Sequence, residues 1–111
     1  MFQPIDRPMP RQLPYTVERV VEVLYQDISL RDRTVIAQLS ESELTSVLYV
    51  AMAETIRKEF KIYTENTELL DSCRKYIARK YTSQEDPVMV IIKELWEKTK
   101  RQNRLHLVAK K

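Results

Sequence analysis

The chain has 111 residues, 43% apolar and 32% charged, with a formal net charge of +3. That is globular composition for one hydrophobic core, and no apolar run approaches the ~20 residues of a membrane span. Glycine is absent, which excludes phosphate-cradling loops of the Walker and dinucleotide types and the G-x-S-x-G nucleophile elbow, since these motifs are built on glycine.

Residues 1–15 hold four of the five prolines, Pro4, Pro8, Pro10 and Pro14. Proline fixes φ and removes a donor, so this stretch is predicted to be an extended or irregular arm. Thr16 then caps a first helix over 16–27, whose Val17, Val20, Val21 and Leu24 recur at helical spacing. Ser29-Leu30-Arg31-Asp32 has the form of a capping box with Asp in place of Glu, and a short helix follows to about residue 39.

Ser40-Glu41-Ser42-Glu43 is a full capping box opening the longest helix, 41–61. A 3.6-residue period predicts Leu44, Val47, Leu48, Ala51, Thr55 and Ile56 as its buried stripe. Tyr49, Val50, Met52 and Ala53 extend the apolar surface almost all round, which predicts a central helix. Thr64 or Asn66 caps a fourth helix, 67–80, with Leu69, Leu70, Cys73, Tyr76 and Ile77 inward.

Asp86-Pro87 places Asp at N-cap and Pro at N1 of a fifth helix, 87–102. Its inner stripe is Val88, Ile91, Ile92, Leu95, Trp96 and Thr99. Glu94 with Lys98 and Glu97 with Arg101 fall at i, i+4 and are predicted to pair on its outer face. Arg104-Leu105-His106-Leu107-Val108 alternates briefly like a strand. The fold class is therefore all-α: a compact bundle of four to five helices, with a Pro-rich arm (1–15), a helical domain (16–103) and a short, basic, extended tail (104–111).

Pro14-Tyr15-Thr16-Val17-Glu18, Ile28-Ser29-Leu30-Arg31-Asp32, Ile56-Arg57-Lys58-Glu59-Phe60, Leu69-Leu70-Asp71-Ser72-Cys73 and Met89-Val90-Ile91-Ile92 running into Leu95-Trp96-Glu97-Lys98 occur in an order that resembles a small bacterial all-helical domain family of unknown function. The resemblance covers about residues 14–108. It implies a helical fold and brings no substrate, cofactor or catalytic residue. After its Phe that family tends to read Gly-Leu-Trp-Ser-Gly-Asn. Here the stretch is Lys61-Ile62-Tyr63-Thr64-Glu65-Asn66, without either glycine or the Trp.

Evident chemistry is sparse. One His and one Cys, 33 residues apart, cannot supply a zinc site by themselves. Cys73 and His106 are the only nucleophile–base combination of that type. Cys73 lies on an apolar stripe, where a thiol is a core residue. No catalytic residue, metal or cofactor is assigned. The best binding candidates are Arg57 and Glu59 at the end of the long helix, with Tyr63 and Asn66 after it, because an Arg there could hold a carboxylate or phosphate.

Charge suggests a rival. Residues 87–111 carry seven Lys and Arg against two Glu, and a basic stretch attracts phosphate without sequence preference. Arg74, Lys75, Arg79 and Lys80, interleaved with Tyr76 and Tyr81, join Lys100, Arg101 and Arg104 as nucleic-acid candidates. A helix-turn-helix fails, because its recognition helix would begin Glu41-Ser42-Glu43 and repel phosphate.

The leading reading is a non-enzymatic protein-interaction module, contacting an unknown protein or a second copy of itself. Its motives are the surplus apolar residues of the long helix and a tail strand without an internal partner. The alternative is a weak, sequence-independent nucleic-acid binder, and an unrecognised small enzyme ranks last. With no signal-like segment in Met1-Phe2-Gln3-Pro4 and a single cysteine, the expected location is cytoplasmic, without membrane attachment.

Overall fold

The computed structural model describes residues 13–81 and 85–109, with side chains described through Asn103. The Pro-rich arm before residue 13 lies outside the described residues. Five helices follow in chain order: α1, Val17–Asp27; α2, Leu30–Ala37; α3, residues 41–60; α4, Thr67–Lys80; and α5, Pro87–Ala109. No strand occurs among the described residues, and no helix there is long and apolar enough to cross a membrane.

Side chains set the helix starts. Thr16 Oγ1 accepts from Arg19 N and Ser29 Oγ from Asp32 N, each at 3.1 Å. Ser40 and Glu43 exchange both bonds of the capping box. Asn66 Oδ1 accepts from Leu69 N, and Asp86 Oδ1 accepts from Val88 N. Each bond satisfies a backbone donor that the first helical turn leaves free.

α3 departs from a regular period. Leu44–Tyr49 is π-helical, between α-helical Glu41–Glu43 and Val50–Phe60. The wider turn shifts the phase of everything after it. The buried residues are Leu44, Leu48, Ala53, Ile56 and Phe60. Val47, Ala51 and Thr55, expected inward, are exposed.

That shift also corrects the expected centre. α5, not α3, is the helix the others surround, packing against α1, α2, α4 and α3. Val88, Met89, Val90, Ile91 and Ile92 are all buried in succession, as is Leu95. Five consecutive buried residues require neighbours on every side of the helix. Trp96 lies on the flank of α5 rather than its inner stripe. It is half-buried against the core, and its Nε1 donates to the Leu39 carbonyl at 3.1 Å.

The C-terminal strand expectation is also overturned, because α5 continues through Ala109. Extending a formed helix adds a hydrogen bond for each residue fixed, whereas a five-residue strand without a neighbour gains none. The expected extended tail is therefore helical over residues 104–109.

α3 ends at Lys61, whose φ of 52° and ψ of 41° are left-handed. It is the one non-glycine residue with positive φ among the described residues. The Lys61 carbonyl accepts from the amides of Glu65 and Asn66, closing the loop that delivers Asn66 to α4. Ser72 on α4 accepts from Val17 N at 3.0 Å, tying α4 to the start of α1.

Candidate functional site

Two of the four expected binding residues come together, around a carboxylate read from the sequence only as a helix cap. Asp86 precedes α5. Its Oδ2 accepts from Tyr49 Oη at 2.5 Å and its Oδ1 from Tyr63 Oη at 3.1 Å. Arg57 Nη2 donates to Tyr49 Oη at 2.8 Å. The four side chains join the π-helical segment, the last turns of α3, the following loop and the start of α5. Beside them Thr45, Tyr49, Glu85, Asp86 and Met89 line an open cleft of about 260 Å³.

The other two expected residues play no part in this cluster. Glu59 is exposed and makes no side-chain hydrogen bond or ion pair among the described residues. Asn66 is buried and fully engaged inside the fold. Its Nδ2 donates to the carbonyls of Pro14 and Phe60 at 2.8 and 3.0 Å, while its Oδ1 caps α4. Tyr49 was legible as apolar surplus, but its Asp86 contact spans 37 residues and has no local signal.

The electrostatics of the cluster oppose nucleophilic chemistry. The hydrogen bond to Asp86, then burial, raises the Tyr49 hydroxyl above its usual range. Burial and the Asp86 charge push Tyr63 up to about 12. Both phenols stay protonated near neutral pH and act as donors. Burial also lifts the Cys73 thiol to about 12, which removes the thiolate that a cysteine nucleophile needs. His106 falls beyond the described side chains. No group of three or more metal-ligating side chains occurs among the described residues.

The basic candidates divide. On α4, Arg74 pairs with Asp71, and Arg79 stacks 4.8 Å from the Tyr76 ring centroid. Together with Lys75 and Arg79, the acids Glu18, Glu68 and Asp71 line an open cleft of about 480 Å³, giving it mixed sign. Lys80 reaches across to α5 and donates to Glu94 at 2.8 Å and Glu97 at 2.9 Å. Those are the glutamates expected to pair with Lys98 and Arg101. Lys100 lies 3.5 Å from the Trp96 ring centroid, and Arg101 is exposed. The Arg104 side chain lies outside the described residues.

Exposed apolar side chains concentrate on two helices. On α3, Val47 and Val50 are 47% and 75% exposed, with exposed Ala51 beside them. On α2, Leu30 and Val35 face outward. No protein-family model matches the chain, and neither a curated protein nor a solved structure matches it.

Proposed function

We propose that the chain is a non-enzymatic protein-interaction module that self-associates through the outward stripe of α3. The observation that carries this reading is the three-quarters exposure of Val50. Val47, at the end of the π-helical segment, and Val50 and Ala51, at the start of the α-helix that follows, place three exposed apolar side chains within five consecutive residues. Water is a poor environment for such a patch, and a second copy removes it from both chains at once. Two-fold symmetry suits a single apolar patch, because the same patch serves both partners.

The polar cluster of Tyr49, Arg57, Tyr63 and Asp86 ties the π-helical segment to the start of α5. The protonated phenols and the buried thiol further support a binding role over a catalytic one. The helical tail removes one motive for a dimer, the unpaired strand, so the reading rests on the exposed apolar residues of α3. The order of motifs from Pro14 to Trp96 supports membership of the small bacterial helical family. A single buried thiol suits a reducing compartment, and the proposed location is the cytoplasm.

Cross-linking tests the contact directly. Val50→Cys introduces one accessible thiol, since Cys73 is buried. A short bis-maleimide should convert this variant to a covalent dimer. Glu22→Cys, exposed on α1, should be modified without cross-linking. Equal cross-linking of the two variants would contradict the reading.

A further inference from the structure

The expected pairing of α5 fails in a way that leaves a face of the molecule charged. Glu94 and Glu97 precede Lys98 and Arg101 by four residues, the spacing at which a helix pairs them. Both carboxylates are taken by Lys80 from α4. Glu94 also accepts the Tyr81 hydroxyl. Lys98 and Arg101 consequently make no ion pair among the described residues. From Lys98 to residue 111 the chain holds six Lys and Arg and no Asp or Glu.

α2 and α1 add to the same face. Lys98 Nζ lies 5.2 Å from the Tyr25 ring centroid, and Arg33 Cζ lies 4.0 Å from that same centroid. Arg33 Nε also donates to the Tyr25 carbonyl at 3.0 Å, which fixes the guanidinium there. Two cations therefore share one aromatic ring. Asp27 and Asp32, the acids nearest Tyr25 and Arg33 in sequence, form no ion pair with either cation among the described residues. The α5 dipole does not account for them, because its effect is confined to the last turn, and Lys98 and Arg101 lie further back.

We propose that the face formed by Arg33, Lys98 and Arg101 binds the phosphate backbone of a nucleic acid. Two cations held against one ring, neither in an ion pair among the described residues, leave positive charge that a phosphodiester can meet. Lys98 and Arg101 stand one helical step apart, about 4.5 Å along the axis. That places charges in a row on a rigid element, which suits a linear polyanion. Recognition is by charge and spacing, with no base readout.

The test uses the full chain and a fluorescein-labelled 20-nucleotide single-stranded RNA, with anisotropy as readout. Affinity should fall steeply as salt rises. Lys98→Glu/Arg101→Glu should weaken binding about tenfold or more at low salt. Arg19→Glu/Lys58→Glu, with the same net-charge change elsewhere, should weaken it less than about threefold. Circular dichroism should give every variant the same helical spectrum. Lys80→Met should also weaken binding, because Glu94 and Glu97 are then free to pair with Lys98 and Arg101. Four results would each overturn the proposal: no binding at low salt, equal losses for the two double variants, a larger loss from Lys75→Glu/Arg79→Glu, or binding to phosphatidylserine vesicles in place of RNA.

Discussion

Tyr49 donates its hydroxyl to Asp86 Oδ2 at 2.5 Å, joining the π-helical segment of α3 to the start of α5 across 37 residues. Asp86 thereby combines two tasks, since its other oxygen caps α5 and receives Tyr63. Replacing it removes a cap and takes the acceptor from the half-buried Tyr49 hydroxyl and the exposed Tyr63 hydroxyl. Asp86→Ala should lower stability by roughly 2–3 kcal/mol in urea unfolding. Asp86→Asn keeps an N-cap oxygen and should lose less. Equal losses would show that the carboxylate's contacts with the two tyrosines, and not the cap, carry the stability.

The tyrosines make a pH prediction. Tyr63 and Tyr76 are each pushed up to about 12, chiefly by burial. Tyr49 is raised by its hydrogen bond to Asp86, and Tyr81 chiefly by burial. A folded-state value above the unfolded ~10 means that the native state holds the proton more tightly. This stabilisation is fully present below pH ~10 and is lost as pH rises toward 12. Absorbance at 295 nm should show delayed ionisation that coincides with loss of helical signal. Complete ionisation of all six tyrosines near pH 10 with the helices intact would refute the arrangement.

Asn66→Asp separates the two roles of one side chain. Aspartate is as good an N-cap as asparagine, but it cannot donate to the Pro14 and Phe60 carbonyls. It would set a carboxylate against two carbonyl oxygens in a buried site. The variant should lose roughly 2–4 kcal/mol, at least as much as Asn66→Ala. A neutral result would mean that only capping matters.

Lys61→Gly should stabilise the protein, because Lys61 occupies a left-handed conformation. Relief of the steric cost is worth about 1 kcal/mol, partly offset by the greater freedom of glycine when unfolded. Thermal unfolding should show a higher midpoint. A lower one would indicate that the loss of the Lys61 contact with Glu65 dominates.

Helix positions were largely legible in the sequence, because caps act over two or three residues. Ser40 with Glu43, and Asp86 with Pro87, mark their helix starts without tertiary information. What was not legible depends on register and distance. The π-helical turn moved Val47 and Ala51 from the expected core to the surface, and nothing in Leu44–Tyr49 announces that turn. The placement of α5 at the centre was visible in the unbroken run Val88 to Ile92, yet the apolar-rich α3, expected to be the longest helix, obscured it. Of the candidate site, Arg57 and Tyr63 were found because they sit near a helix end. Asp86 and Tyr49 required the fold. Lys80's capture of Glu94 and Glu97 likewise depends on how α4 packs on α5, so local spacing favoured the wrong partners.

Sedimentation equilibrium over micromolar to submillimolar concentrations tests the central claim most directly, comparing the wild-type chain with Val47→Asp/Val50→Asp. Both positions are exposed, so the double variant should keep its helical spectrum and fold. A concentration-dependent rise to twice the chain mass in the wild type, abolished in the variant, is the predicted result. A wild-type mass that stays at that of one chain throughout, or a dimer untouched by the two aspartates, would contradict the account.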